Sequence, residues 1–417
     1  MKPEIEIVIS SLGHLGDGIA ETPEGPLFVP YALPGERLRV QPLDEGRASI
    51  VEILSPASGR VAPACRHFGR CGGCALQHME AGAYARWKHA QVVAALAARG
   101  IDAPVDAPVP ASPHGRRRTS LAATRTKKGV TLGYYERASH TIVQVGECPL
   151  VVPAIEHALE GLAALAAPGL SRKGRASIHV TASETGLDVA VTGGKETLDG
   201  ALRAELANRA AALDLARLSW EGEVVAERRA PVVTLSGLRV APPPGAFLQA
   251  TAEGEAALVR LVREGVGTAS RVADLFAGCG TFTAALAGQA CVHAVESERA
   301  QLASLDRAIR AQGPALGLKS VTLEMRDLFR RPLLASELAK FDAVVFDPPR
   351  AGAKAQAGEL AKSRVPLVLA VSCNPATFAR DARTLIDGGY TLVRVSPVDQ
   401  FLWSPHIELA GLFRKDV

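Results

Sequence analysis

From about residue 245 onward the chain alternates short apolar runs with helical segments, and this alternation restricts its fold more than any other feature. The apolar runs stand at 271–276, 291–296, 321–326, 341–346, 365–371 and 391–398. Strands joined through helices cross over and return in parallel, which predicts a doubly wound, mostly parallel α/β sheet covered on both faces. Ligands of such sheets bind beyond the carboxyl ends of the strands. The residues with chemical potential in this region fall at those ends.

The first run leads into Asp274-Leu-Phe-Ala-Gly-Cys-Gly280 and then a helical pattern. Gly278 and Gly280 let the backbone approach a ligand closely, and Asp274 puts a carboxylate at the strand end. Glu296 ends the second run, where a ribose-binding carboxylate stands. A nicotinamide fingerprint wants a third small residue at the place of Thr283. Asp327 follows the third run, at the position of an adenine-amino acceptor in a methyltransferase sheet, and Asp347-Pro-Pro-Arg350 follows the fourth. The combination favours S-adenosylmethionine over a dinucleotide. In the related Asp/Asn-Pro-Pro-aromatic motif, an aromatic ring stacks on a base whose exocyclic amine is methylated; Arg350 in that place disfavours an amine target. Ser372-Cys373-Asn374-Pro375 follows the fifth run. A cysteine there is either a small buried hydrophobe or a nucleophile, and the company of Asp347-Pro-Pro-Arg350 and His406-Ile-Glu408 favours the nucleophile.

The rest of the chain reads differently. Residues 3–54 hold short strand patterns at turn-separated intervals, which predicts a small five-stranded barrel of the OB type. Residues 55–240 mix strand patterns with helical ones at 84–99, 155–167 and 196–213, an α+β arrangement. Charge is uneven: residues 1–60 carry 5 Lys/Arg against 9 Asp/Glu, and residues 61–150 carry 12 against 5. Arg116, Arg117, Arg118, Arg125, Lys127 and Lys128 form a stripe with no acid among them, which reads either as a phosphate-contacting surface or as a solvated face. Seven cysteines without a secretion signal do not suggest a disulfide framework. Cys65, Cys71 and Cys74 with the distant Cys148 are able to bind zinc or an iron–sulfur cluster. Three close cysteines and a remote fourth, with a single Cys-x2-Cys, suit a [4Fe–4S] cluster better than a zinc ribbon. The N-terminus has no apolar signal segment and no apolar run reaches the ~18 residues of a membrane span, so a soluble cytoplasmic protein is expected.

Taken in order, these motifs resemble the RNA (uracil-5-)-methyltransferase family, specifically its branch acting on large-subunit ribosomal RNA. The resemblance runs through the Cys65 to Gln77 loop, Gly146-Glu-Cys148-Pro, Phe247-Leu-Gln249, the Asp274 to Gly280 turn, Asp347-Pro-Pro-Arg-Ala-Gly352, Ser372 to Pro375 and His406 to Glu408. It implies a TRAM-like OB barrel over 1–58, a central α+β domain over 59–244 carrying the cluster and an RNA-binding stripe, and a class I (Rossmann-like) methyltransferase domain over 245–417. It implies cofactor contacts at Gln249, Phe276, Thr281, Glu296, Asp327 and Asp347; Thr251 and Thr281 stand where many members carry Asn. The expected reaction is methylation of uridine C5 in 23S ribosomal RNA by a monomer. Uracil C5 is too weak a nucleophile to take a methyl group directly; a thiolate adding to C6 activates it. Cys373 suits that step and Glu408 the final deprotonation, with His406 placed to orient Glu408. The alternatives are the same chemistry on transfer RNA, or a non-catalytic iron–sulfur RNA-binding protein.

Overall fold

In the computed structural model, which describes residues 3–195 and 197–416, the C-terminal strands form one seven-stranded sheet. Its order is Val321–Met325, Cys291–Glu296, Arg271–Leu275, Ala343–Phe346, Leu367–Ser372, Glu408–Arg414 and Thr391–Val398. The first five strands are parallel. Ala343–Phe346 is buried at every residue and Arg271–Leu275 at all but its first, as strands covered on both faces must be. Val272, Val345 and Leu369 pack with Leu258 and Val262 of helix Ala252–Val266. Leu275, Val344, Phe346 and Val368 pack on the other side with Phe378 and Leu385 of helix Pro375–Asp387. The sequence reading has six strands here. The seventh, Glu408–Arg414, inserts antiparallel between the fifth and the last, and this insertion brings Glu408 beside the end of the fifth strand.

The central residues form a second seven-stranded sheet, with helices Pro153–Ala166 and Gly200–Ala212 packed on it. The expected helix over 196–213 thus spans Gly200–Ala212, and residue 196 lies outside the described residues. Residues 81–110 do not join this sheet. Val92 and Leu96 of helix Ala81–Ala97 pack, with Ile101, into the C-terminal core. Val105 and Val109 then bridge Val395 and Val398, extending the edge of the C-terminal sheet. The apolar face of that helix finds its partner across almost the whole chain, which no local pattern reveals.

That helix also carries Lys88, 1% exposed, whose ammonium donates to Asp399 at 3.0 Å and to the carbonyl of His406. Tyr84 donates its hydroxyl to the same Asp399 at 2.8 Å. Burial pushes the lysine pKa down while Asp399 opposes that shift. A buried ion pair of this kind adds little net stability over an apolar substitute, but it fixes geometry, because either charge left alone would be strongly unfavourable. What it fixes here is the 399–406 segment that leads into Glu408.

The N-terminal expectation needs correction. The strands are six, and they form two three-stranded sheets, not a closed five-stranded ladder. Ile7, Ile9, Ala20, Val29, Leu38 and Val40 fill the core between the sheets. An isolated Phe28–Arg47 bridge links Gly25–Val29 of one sheet to the start of Ala48–Ser55 in the other. Among the described residues, no helix is long and apolar enough to cross a membrane.

Candidate active site

The glycine turn after Arg271–Leu275 opens a concavity at the carboxyl edge of the sheet. Gly278 and Gly280 take φ of 58° and 95°, and a Cβ on Gly280 would stand 2.4 Å from Leu305. The Gly278 amide donates to Glu296 Oε2 at 2.9 Å, while Glu296 Oε1 accepts from the amides of Ser297 and Glu298. Beneath the turn Asp274 is fully buried; Thr283 donates to one of its oxygens at 2.6 Å, and the other has no partner among the described residues. Burial pushes its pKa up to about 7, with Asp347 and Glu296 adding to the shift and Thr283 opposing it. Phe276 and Phe329 stand with ring centroids 5.5 Å apart beside Asp327, whose Oδ1 accepts from the Phe329 amide at 2.9 Å. Thr281 is the first residue of the helix that follows the turn. An orphaned carboxylate oxygen under a glycine cradle, flanked by two further carboxylates and an aromatic pair, fits an adenosyl cofactor carrying ribose hydroxyls and a cation.

Asp347 closes this concavity. It accepts from Gln249 Nε2 at 2.9 Å, and Gln249 Oε1 accepts from Gln400 Nε2 at 2.8 Å. Asp347 is pushed up to about 7 by the protein packed around its carboxyl, against the lowering effect of the Gln249 donor. All six expected cofactor positions therefore lie on strand ends or on segments packed against them.

Cys373 and Glu408 come together through strand register. The antiparallel ladder ends with Ser372 paired to Leu409, which leaves Cys373 and Glu408 as the adjoining residues on the two segments, close enough for the Glu408 charge to act on the thiol. Glu408 is 3% exposed, and its Oε2 has no partner among the described residues. Burial, then the charge of Asp347, holds its pKa well above the usual carboxylate range. The Cys373 thiol is pushed up to about 11 by burial, then by Glu408 and Asp347, with Arg350 opposing. A thiol, two carboxyls and a guanidinium thus act on one another within a single cleft. His406 does not orient Glu408. Its Nδ1 lies 3.0 Å from Arg350 Nη2, and burial, Arg350 and Lys88 push its pKa down to about 4, so it meets the guanidinium as a neutral acceptor. Arg350, read in the sequence for what it excludes, and Gln400, which carried no signal there, both belong to the site.

The basic stripe does not form one phosphate surface. Arg118 and Arg125 lie on strand Arg118–Thr126, Arg116 and Arg117 precede it, and Lys127 and Lys128 follow it, so the side chains diverge. Arg117 pairs with Glu255 at 2.6 Å, Arg118 stacks over Phe247 at 4.3 Å, and Arg125 donates to the carbonyls of Ala167 and Leu170. Lys127 and Lys128 are exposed at the hairpin tip.

Cys65, Cys71, Cys74 and Cys148 line one cavity of about 260 Å³. Amides of His67 and Gly73 approach the sulfurs of Cys65 and Cys71 at 3.4 and 3.5 Å. Burial raises the Cys71 and Cys148 thiols and pushes Cys74 up to about 12. Among the described residues no group of three or more His, Cys, Asp or Glu is spaced to hold a single metal ion. The cysteine loop also reaches the segment that leads into Glu408: the Ala75 and Leu76 amides donate to the carbonyl of Trp403 at 2.8 and 3.1 Å.

Comparison with known proteins matches this arrangement. Residues 243–416 fit the family model described as tRNA (Uracil-5-)-methyltransferase. A protein of Brucella suis biovar 1 described as an uncharacterized RNA methyltransferase is 48% identical over 413 residues, 98% of each chain. The 23S rRNA (uracil(1939)-C(5))-methyltransferase RlmD of Halomonas elongata is 33% identical over 443 residues, covering 97% of this chain and 88% of that one. The structure of Pyrococcus abyssi tRNA (uracil-54, C5)-methyltransferase in complex with S-adenosyl-L-homocysteine superposes with a TM-score of 0.75 at 23% identity, covering 98% of this chain and 99% of that one, a likeness of fold. Joined to a strand-end cysteine facing a buried carboxyl beside a glycine cradle, these similarities establish that the chain belongs to the RNA (uracil-5-)-methyltransferase family.

Proposed function

We propose that the protein methylates C5 of a specific uridine in 23S ribosomal RNA, with S-adenosylmethionine as methyl donor, through a covalent bond between Cys373 and uracil C6. The observation that supports this reading is that the ladder ending at Ser372–Leu409 leaves Cys373 and Glu408 as adjoining residues, with Glu408, Asp347 and Arg350 all acting on the thiol. Gln249, Phe276, Thr281, Glu296, Asp327 and Asp347 would hold the donor, which when bound supplies a methyl group on a sulfonium cation. That positive charge favours the ionised forms of the surrounding carboxyls and thiol. Cys373 as thiolate adds to C6, and the electron pair released makes C5 an enolate carbon. Once C5 carries the methyl group, Glu408 as carboxylate takes the C5 proton, the C5–C6 double bond re-forms and the thiolate leaves.

Ribosomal RNA is favoured by the RlmD relative, similar over nearly the whole chain. A second reading, the same chemistry on transfer RNA, is supported by the Pyrococcus enzyme, whose fold also spans nearly all of this chain. Mapping 5-methyluridine in RNA from cells with and without the protein separates them. Loss of one site in 23S RNA is the expected result; loss in transfer RNA favours the second reading, and an unchanged map in both rejects the function.

We infer further that Cys65, Cys71, Cys74 and Cys148 hold a [4Fe–4S] cluster. The support is their shared cavity and the two backbone N–H groups directed at sulfur. Thiols give up their protons when they ligate. Methyl transfer needs no oxidant or reductant, so the group would serve to hold the 65–77 loop against Trp403. Anaerobically purified protein is expected to be brown, with iron and acid-labile sulfide at about four each per chain on this cluster type. One zinc and no sulfide is the opposing result.

A further inference from the structure

Three side-chain amide and carboxyl groups stand in series between the 399–406 segment and the donor site, and a single backbone hydrogen sets their direction. The Thr251 amide donates to Gln400 Oε1 at 3.3 Å. A backbone N–H has no alternative role, so Gln400 must turn its oxygen toward Thr251 and its NH2 toward Gln249. Gln249 then presents its oxygen to Gln400 and its own NH2 to Asp347. An amide side chain can rotate half a turn at little conformational cost, and here the chain of donors removes that freedom.

The surroundings are built for the first member of the series. Gln400 is 1% exposed, and it fits because position 254 lacks a Cβ, which would stand 2.3 Å from Gln400 Cγ. The backbone of the second member is held separately: Arg117 donates to the carbonyls of Gln249 and Ala250 at 3.1 and 3.0 Å. With its main chain pinned, the Gln249 amide retains one undetermined feature, which of its two ends faces Asp347. Gln400 determines it. Next to Gln400, Asp399 is locked by Lys88 and Tyr84, so the series starts from a rigid point.

We propose that Gln400 is a positioning residue for the methyl-donor site, acting through Gln249 to keep an N–H donor on Asp347 and so hold that carboxylate ionised and oriented toward the donor. This rests on the reading of the cleft as an S-adenosylmethionine site. Asp274, Cys373 and Glu408 are the titratable groups that share the electrostatic field of Asp347, and none of them supplies it a hydrogen. Gln249 is the donor that favours its charged form.

The test is calorimetric binding of S-adenosylhomocysteine from pH 5.5 to 8.5. Gln400→Glu keeps the shape and the acceptor for Thr251 but cannot donate to Gln249, which is then drawn round to place its oxygen against Asp347. The expected result is affinity weakened about tenfold or more at pH 7, with the acid limb of binding moved to higher pH. Gln400→Met, close in volume, should act in the same direction, and thermal melting identifies any variant that does not fold. On a Gln249→Met background, which has no amide to turn, Gln400→Glu should add less than a twofold further change. Independent, multiplying effects overturn the relay, as does wild-type affinity with an unmoved pH limb in both Gln400 variants. Failure of the wild-type protein itself to bind S-adenosylhomocysteine overturns the donor-site reading and the relay with it, a result distinct from the others.

Discussion

Cys373→Ala is expected to lower turnover by about three orders of magnitude or more, because a missing nucleophile removes the only route to a reactive C5. RNA carrying 5-fluorouridine at the target should trap the wild-type protein: fluorine does not leave as a proton does, so the bond from Cys373 Sγ to C6 persists and the complex survives denaturing electrophoresis. The alanine variant should form none of it while still binding S-adenosylhomocysteine. The pH dependence follows from the site. In the protein alone the thiol is pushed up to about 11 by burial and by two carboxyls, so it is protonated at neutral pH. Trapping should therefore accelerate with rising pH, approaching tenfold per unit below the pKa of the complex. An adduct formed equally by Cys373→Ala would assign the nucleophile elsewhere.

Much of this cleft was legible because parallel strands buried on both faces read as plain apolar runs. Asp274, Glu296, Asp347 and Cys373 stand at the carboxyl ends of such runs, so fold and candidate residues came from one pattern. The legibility ends where contacts are distant in sequence and polar. Gln400 meets Gln249 across 151 positions, and Arg117 meets Glu255 across 138; no local spacing encodes either pair. The basic stripe meets the same limit, since formal charge does not reveal which arginines are already paired or stacked. Glu408 was visible as a carboxylate in a short motif, but its position opposite Cys373 depends on the seventh strand. That strand inserts between two others instead of joining the sheet edge in chain order. His406, two residues before Glu408, is placed by the sequence to orient it, but its ring is engaged by Arg350 instead. The N-terminal strands were recognisable one by one, yet their division into two sheets depends on pairings between strands distant in sequence, such as Ile5–Val8 with Arg37–Pro42.

Glu408→Gln is expected to halt the reaction after methyl transfer, with multiple-turnover rate reduced about a hundredfold to ten-thousandfold, the range of a lost general base. The substitution keeps the size of the side chain and removes only its capacity to accept a proton. Neither addition of Cys373 to C6 nor attack by C5 needs that capacity, so one methyl group per protein should be transferred promptly. The product, methylated at C5 and still joined at C6, then cannot eliminate the thiolate. A denaturing gel should show RNA-linked protein accumulating on ordinary uridine RNA, and mass analysis should find the added methyl group in that species. The buried position accounts for the order of events. Burial and the charge of Asp347 raise the Glu408 pKa well above the usual carboxylate range, and one of its oxygens has no partner among the described residues. It acts as a base only after its proton is lost, which a cationic donor in the cleft promotes. In the wild type, release of RNA from Cys373 should therefore quicken as pH rises toward the Glu408 pKa of the complex, whereas release from Glu408→Gln should show no such titration. Near-wild-type turnover in Glu408→Gln, or failure to form any adduct, would give Glu408 a different role: in the first case the proton goes to another acceptor, and in the second the carboxyl is needed to generate the Cys373 thiolate.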